Sequence, residues 1–336
     1  MAQMSQALPR PQTSWQNVGY IALGLAALGV GLNLADPSRV AALQNFLLVF
    51  SSLLIEAMPF ILLGALVSAA IEVFVPGSVF ERLSSLRPSL QLPAAGLAGF
   101  AFPVCECGSV PVARRLAQKG LSIGAAVTFM LAAPILNPVV LVSTVVAYRG
   151  RDILLPMVLG RAGLGLIAAL AVGWVMSSRT TEDAMPALAE ERHDDEHDHG
   201  TDDSKLGAFF GHLTGDFVFM GRYLVIGAAV AATMQTFVPQ SFIAGVADTP
   251  ILSLLAMMGL AFVLSLCSES DAFVAASFVQ FGVGAQLAFL VFGPLVDTKL
   301  AFLYSGTFSP RFFRTVVVVV GAVTLAGTLW IEVFLG

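Results

Sequence analysis

The stretch Phe-Pro-Val-Cys-Glu-Cys-Gly-Ser-Val-Pro, residues Phe102–Pro111, interrupts an apolar segment in the first half of the chain. It holds two of the three cysteines, Cys105 and Cys107, with the carboxylate of Glu106 between them. Proline removes a backbone donor and strains a helix, so the segment is predicted to unwind or kink here. Unwound backbone inside a membrane is tolerated only where protein buries it or where it lines a wet cavity. An ionisable residue at such a place indicates a functional site.

The composition defines the class of protein around this stretch. Of the 336 residues, 57% are hydrophobic and 12% are charged, whereas a soluble domain carries about 25% charged residues. The sequence therefore predicts an all-α integral membrane protein that crosses the cytoplasmic membrane of the cell several times, in contact with membrane lipid. There is no basic patch with interleaved aromatics, so no nucleic-acid partner is expected. There is no Walker loop, zincin pair or nucleophile elbow, so neither an enzyme nor a bound cofactor is expected.

Apolar stretches divide the chain into about nine hydrophobic segments, which predicts about 8–10 transmembrane helices. A proline, Pro59, is expected to tilt or break the second of them. The segments are Val18–Leu34, Phe46–Val75, Leu92–Leu116, Leu121–Tyr148, Ile153–Met176, Phe209–Phe237, Ile251–Phe281, Leu287–Phe308 and Phe312–Leu335.

The two halves of the chain resemble each other. Gly64–Ser78 matches Gly227–Ser241, and nearly the same offset pairs Cys105 with Cys267. Chance similarity between alanine- and valine-rich segments is the alternative for the first match alone. Two halves with interrupted helices at matching positions indicate a transporter site at the interface of the repeats. The sequence thus predicts an N-terminal segment with an extra transmembrane helix, a first repeat, a hydrophilic His- and acid-rich linker and a second repeat, over residues 1–45, 46–176, 177–206 and 207–336 respectively.

The second half has its own polar interruption, Leu-Cys-Ser-Glu-Ser-Asp-Ala-Phe, residues Leu266–Phe273. If the repeats face each other, Cys105, Cys107 and Cys267 meet near the membrane centre, and three thiols around one cavity suit a soft metal ion or a metalloid. For each cysteine alone, packing as a small buried residue is the alternative. Carboxylates beside the thiols could carry protons or balance the charge of a cation. The predicted substrate site comprises Cys105, Glu106, Cys107, Ser109, Asn137, Cys267, Ser268, Glu269, Asp271 and Asp297, with the three cysteines as metal ligands.

A further pair of interruptions, Ala133–Pro138 and Phe292–Lys299, occupies matching positions and sets Asn137 opposite Asp297. Asp297 and Lys299 carry opposite charges two residues apart. They are expected either to take part in transport, pairing with groups on facing helices, or to form an internal ion pair that holds helices together.

The linker contains a run of histidines and carboxylates that includes His193, His197 and His199. High charge density predicts a solvated linker between the two halves. Weak binding of divalent metal is the second interpretation, because His- and carboxylate-rich tracts bind such ions loosely.

The run Cys-Glu-Cys-Gly-Ser-Val-Pro-Val-Ala-Arg-Arg-Leu, residues Cys105–Leu116, resembles the bacterial predicted-permease family that includes the ArsP-type organoarsenical efflux permeases and the YraQ-like proteins. The resemblance continues through Phe129–Val140 and Cys267–Phe278 and covers most of the chain outside the His-rich loop. It implies transport of a trivalent methylated arsenical bound through thiols, or, by likeness to members with His-rich loops, of copper or zinc. Glu106 stands where many relatives carry a small residue, which leaves a metal cation or another thiophilic solute open.

The sequence therefore predicts a membrane permease for efflux of a soft metal ion or trivalent (organo)metalloid, and hence for metal or arsenical resistance. Its Cys- and Glu-lined central site would work by alternating access, as one repeat rocks against the other. A membrane thiol redox protein using the Cys-x-Cys pair is one alternative. A non-transporting assembly or sensor subunit, with the His-rich loop as detector, is another. The oligomeric state is left unassigned.

Overall fold

The described residues fold into α-helices joined by short non-helical segments, and they contain no β-strand. The computed structural model describes residues 37–84, 87–102, 104–179, 184–185, 205–237 and 250–335. The helices are α1 (Pro37–Phe74), α2 (Gly77–Ser84), α3 (Pro88–Ala101), α4 (Glu106–Gln118), α5 (Ile123–Leu136), α6 (Pro138–Ala147), α7 (Leu154–Met176), α8 (Lys205–Phe237), α9 (Pro250–Leu264), α10 (Asp271–Ser277), α11 (Val283–Phe292), α12 (Thr298–Thr307) and α13 (Pro310–Leu335).

Chain contacts separate a first unit, Met1–Leu48, from a second unit, Val49–Gly336. The described part of the first unit is the beginning of α1, and all contacts given below belong to the second. The predicted span Val18–Leu34 lies outside the described residues, and so does most of the predicted N-terminal segment, residues 1–45.

Within the described ranges, five stretches of helix are long and apolar enough to cross a membrane. Shorter apolar helices accompany them in α3, α9 and α11. This pattern confirms the prediction of an all-α integral membrane protein. The five stretches are Ala41–Phe74, Ile123–Ala147, Leu154–Met176, Lys205–Phe237 and Pro310–Val333.

The helix break predicted at Pro59 is wrong, because α1 continues through this residue. A proline inside a helix removes one hydrogen bond. Membrane helices tolerate this loss where neighbouring groups satisfy the carbonyl that is set free.

The predicted interruption at the first cysteine pair is confirmed. Helix α3 ends at Ala101, and α4 begins at Glu106 after an extended residue, Cys105. In the second half, α9 ends at Leu264 and α10 begins at Asp271. Both polar interruptions therefore separate two short helices.

The second pair of interruptions is confirmed as well, and both members use a side chain as helix cap. Asn137 separates α5 from α6, and its Oδ1 accepts from the backbone N–H of Val139 at 2.9 Å. Asp297 precedes α12, and its Oδ1 accepts from the N–H of Leu300 at 2.6 Å. Capping of this kind satisfies a backbone donor at a helix start and stabilises it by about 1 kcal/mol.

The two interruptions of the second half are tied to each other through Ser265. This residue has a positive φ of 47°, a left-handed conformation that is uncommon outside glycine. Its Oγ accepts from the backbone N–H of Thr298 at 2.9 Å, and the Thr298 hydroxyl donates to the Phe262 carbonyl at 2.8 Å. The end of α9 is thereby fixed to the start of α12.

Helix α5 forms the centre of the first half, and every one of its residues is buried. It packs against α3, α4 and α7. Its contact with α7 is backbone to backbone, because a Cβ on Gly124 would meet the carbonyl oxygen of Gly173 at 2.6 Å. Helices of the two halves also contact each other reciprocally: α4 lies against α12, and α6 lies against α10.

Candidate functional site

The first interruption places Cys105 and Glu106 at the start of α4. The extended Cys105 precedes the helix, and Glu106 lies in its first turn. Ser109 closes this turn, since its N–H donates to the Cys105 carbonyl and its hydroxyl donates to the Glu106 carbonyl, both at 3.0 Å. Cys105, Glu106 and Cys107 are at most 1% exposed, so the predicted polar groups lie inside the protein.

The second interruption turns sharply at Cys267. Its carbonyl accepts from the backbone N–H groups of Ser270 and Asp271, each at 3.0 Å. The turn directs the Ser268 hydroxyl toward the first interruption, where it donates to Glu106 Oε2 at 3.0 Å. The two polar interruptions therefore meet through a direct hydrogen bond between residues 162 positions apart.

The candidate site at this meeting point consists of Cys105, Glu106 and Cys267, which we call the Cys–Glu cluster. Their sulfur and carboxylate ligand atoms all lie within 4.8 Å of one another, and all three residues are buried. All three cysteines are buried free thiols. Two thiols and a carboxylate at this separation are suited to closing around one soft ion.

Lys299 supplies a positive charge to the cluster. Its Nζ lies 3.5 Å from Glu106 Oε1 and 3.7 Å from Asp297 Oδ2, and its side chain is 2% exposed. Neither of these two carboxylate oxygens has a hydrogen-bond partner among the described residues, and the same is true of Glu269 Oε1. Glu106 in the cluster and its neighbours Asp297 and Glu269 therefore each keep one buried carboxylate oxygen without a hydrogen bond among the described residues, which is costly in a low-dielectric interior.

The acid group of Asp271 is used differently. It forms two hydrogen bonds of 2.8 Å with Arg161 of α7, one to each carboxylate oxygen. Arg161 also donates to the Ser268 carbonyl at 2.9 Å and to the Thr144 hydroxyl at 3.0 Å. The bidentate Arg161–Asp271 pair and these two further hydrogen bonds hold the second interruption in place next to the cluster.

The other predicted site residues lie around the cluster or apart from it. Glu269 borders it, with its Oε2 3.4 Å from the Ser268 hydroxyl. Ser109 donates to the Glu106 carbonyl and Asn137 caps α6, so both side chains make local backbone hydrogen bonds, and their part in a substrate site stays a prediction. His193, His197 and His199 lie outside the described residues, so their metal binding stays a prediction.

Three charged neighbours of the site were absent from the predicted substrate-binding residues: Arg161, Glu56 and Lys299, the last of which was expected either in transport or in an internal ion pair. Glu56 of α1 accepts from the Ser270 hydroxyl at 2.9 Å. Each of the three is a charge inside an apolar segment, which is the signal that could have added them.

An apolar cavity of about 190 Å³ lies between α1, α3, α4 and α5. It is lined by Ile71, Phe102, Val112 and Phe129 among others, and none of the cysteines lines it. The Cys–Glu cluster itself is closed to solvent, with its members 0–1% exposed.

A second ionic group joins α1, α4 and α8, and we call it the α4 ion network. Arg115 lies 3.4 Å from Glu72 and 3.2 Å from Asp216. Lys119 lies 3.1 Å from Glu72, and the Ser68 hydroxyl donates to Asp216 at 2.6 Å. Since α4 begins at Glu106, one helix carries the Cys–Glu cluster at its start and this network near its end.

Comparison with known proteins identifies the family. The sequence model of the family ArsP_1, described as "Predicted permease", matches residues 42–333. The chain is 42% identical over 285 residues to the UPF0718 protein YcgR of Bacillus subtilis (strain 168), covering 84% of this chain and 96% of that protein. It is 35% identical over 269 residues to a Streptococcus mutans serotype c (strain ATCC 700610 / UA159) protein named "Putative two-component membrane permease complex subunit", covering 79% of this chain and 88% of that protein. No solved structure matches. The chain belongs to the ArsP_1 family of predicted permeases, and the protein is a multi-pass membrane permease.

Proposed function

We propose that the protein is a transporter of the cytoplasmic membrane, not an enzyme, and that it exports a soft metal ion or a trivalent (organo)metalloid. The cargo binds at Cys105, Glu106 and Cys267, with Cys107 within reach of Cys105. Glu269 and Asp297 balance charge at the rim of the site. Asp271 contributes by holding Ser268 and its neighbours in position.

The observation that carries this proposal is the convergence of two thiols and one carboxylate within 4.8 Å, inside the protein. Sulfur ligands favour soft ions over hard ones. A buried thiol could also be a packing residue, but packing does not account for carboxylate oxygens that are buried without a hydrogen bond beside it.

The proposed mode of transport is alternating access between two repeats, over residues 46–176 and 207–336. The order of interrupted helices supports this division, since α3–α4 and α5–α6 have their counterparts in α9–α10 and α11–α12. Each cluster member comes from an interruption, and Cys105 and Cys267 come from different halves. Rocking of one half against the other would therefore separate the ligands and release the cargo.

A second candidate role is that of one subunit in a transport complex. The observation in its favour is the printed name of the Streptococcus mutans relative, which describes a subunit of a two-component permease complex. In this role the same cluster binds cargo, and a second protein is needed for flux.

The experiment is flux across proteoliposomes that contain the purified full chain, measured for copper(I), zinc, cadmium and a trivalent methylated arsenical. We expect Cys105→Ser and Cys267→Ser each to lower the initial rate for the cargo about tenfold or more, because each removes one ligand. Ser277→Ala is the control, since this exposed hydroxyl bonds only its own helix, at Val274. Equal flux in the wild type and both cysteine variants would contradict the proposal. Soft-ion binding without flux would favour the subunit role.

A further inference from the structure

The two buried acid–base pairs beside the interruptions differ in kind. Asp271 is held by both arms of Arg161 at 2.8 Å. Glu106 faces Lys299 across 3.5 Å through one oxygen, and that oxygen has no hydrogen bond. Arginine forms a rigid, planar fork, whereas the lysine ammonium is a point charge on a flexible stem. The Asp271–Arg161 pair is therefore rigid, whereas the Glu106–Lys299 pair is longer and can separate more easily.

Lys299 has a second carboxylate partner, Asp297. Its ammonium lies 3.7 Å from Asp297 Oδ2, which also lacks a hydrogen-bond partner among the described residues. Asp297 keeps its other oxygen on the N–H of Leu300, so it remains in position whether or not the ammonium approaches. The ammonium therefore lies between the two carboxylates, and Asp297 can keep it as a partner if Glu106 binds another cation.

The charges around the cluster favour a cation. Two carboxylates, Glu106 and Asp297, share the ammonium of Lys299. Glu269 and Glu56 lie close to the same region, since they accept from the hydroxyls of Ser268 and Ser270 respectively. In the buried interior, unlike charges attract far more strongly than in water. A neutral arsenical would bind the thiols without needing the carboxylate, and it would gain nothing from the displacement of Lys299.

We propose that Lys299 is a tethered cation that is shared by Glu106 and Asp297 when cargo is absent, and that a soft metal cation displaces it from Glu106 on binding Glu106 and the thiolates of Cys105 and Cys267, whose two protons are released to water as the metal binds. The inference rests on the proposed function and narrows its cargo to a cation. In the empty protein the ammonium neutralises Glu106, so the closed site is stable without cargo. When the cation leaves, the ammonium returns, which opposes rebinding.

The test measures cadmium binding to the detergent-purified full chain through the ultraviolet absorption of cadmium–thiolate bonds. Lys299→Gln removes the competing charge, so we expect cadmium to bind roughly tenfold more tightly than to the wild type. Lys299→Arg keeps a cation and is expected to remain near the wild-type affinity. Lys205→Gln, which removes an exposed lysine at the start of α8, is the control for a change in overall charge. The affinity for a neutral trivalent arsenical is expected to be the same in the wild type and Lys299→Gln.

The outcomes separate this inference from the proposed function. If the wild type binds cadmium and Lys299→Gln binds it equally or more weakly, the tethered-cation role is overturned and the proposed function stands. If the wild type binds neither cadmium nor the arsenical, both are overturned. Where Lys299→Gln does not fold, Lys299→Gln with Asp297→Asn serves instead. Asparagine retains the helix cap, no net charge is lost, and tighter binding than in the wild type is again expected.

Discussion

At the scale of single residues, Arg161 makes four hydrogen bonds beside the site. Its side chain is 0% exposed and that of Asp271 is 4% exposed. Its guanidinium reaches three residues on α6, α10 and the segment before α10. A buried ion pair adds little stability over an apolar pair, but a charge left without its partner is strongly destabilising. Arg161 thus maintains the geometry of the cluster without touching its sulfur atoms.

The Arg161–Asp271 pair predicts that removing one partner destabilises the protein more than removing both. Arg161→Met leaves the Asp271 carboxylate buried without its partner, so we expect the free energy of unfolding to fall by about 3–5 kcal/mol. Arg161→Met combined with Asp271→Leu removes both charges and is expected to recover most of this loss. Chemical unfolding in detergent micelles measures both values. A double variant less stable than Arg161→Met would contradict the prediction.

At the scale of helices, glycine contacts with α1 fix the position of the start of α4. A Cβ on Gly108 would meet the Phe60 carbonyl oxygen at 2.7 Å, and a Cβ on Gly64 would overlap the backbone of Gly108. The two helices therefore touch through their main chains, as small residues permit in membranes. This contact lies within one turn of Cys105 and Cys107.

Gly108→Ala is accordingly expected to separate α1 from α4 and to displace the Cys–Glu cluster. We expect cadmium affinity to fall about tenfold or more, because ligand geometry is lost, together with a lower thermal midpoint. Gly221→Ala on α8 is the matched control, since no atom lies within 4 Å of its added Cβ. It is expected to bind as the wild type does. Similar binding by both variants would show that the close contact does not position the site.

At the scale of the whole second unit, the α4 ion network connects the proposed halves at a distance from the cluster. Arg115 pairs with Glu72 on α1 and with Asp216 on α8. Its side chain and that of Asp216 are 12% and 10% exposed, so the pair is screened less than a surface pair. In the proposed alternating access, α4 and α8 belong to different halves, and this network would hold them together in the closed state.

Weakening the α4 ion network is expected to increase the population in which the Cys–Glu cluster is open to solvent. Arg115→Gln removes two ion pairs worth about 1 kcal/mol in total, which corresponds to about a fivefold larger open population. The rate at which a water-soluble maleimide labels Cys105 should rise by about the same factor, measured in a variant with Cys107→Ser and Cys267→Ser. Arg311→Gln, at an exposed position of α13, should leave the rate unchanged. A rate that does not rise in Arg115→Gln would contradict a gating role.

The sequence was sufficient to predict where the helices are interrupted, but not which buried side chains pair with each other. Prolines and polar residues inside apolar runs located the breaks at Cys105 and Asn137, because few structures satisfy such residues in a membrane. The continuity of α1 through Pro59 was missed, since the cost of one lost hydrogen bond depends on tertiary surroundings. Nothing in the sequence states that Asp271 pairs with Arg161, 110 positions away, or that Lys299 reaches Glu106.

The hydrogen bond from Ser268 to Glu106 has a consequence for biogenesis. Ribosomes add the residues of the first interruption long before those of the second, so a nascent chain that has reached α9 displays two thiols and an acid with no counterpart. Cys267, Ser268 and Lys299 arrive within the last 70 residues of the 336. A truncated product inserted in the bilayer cannot assemble the cluster, and quality control therefore has until nearly the end of translation to remove faulty copies before the cluster can form.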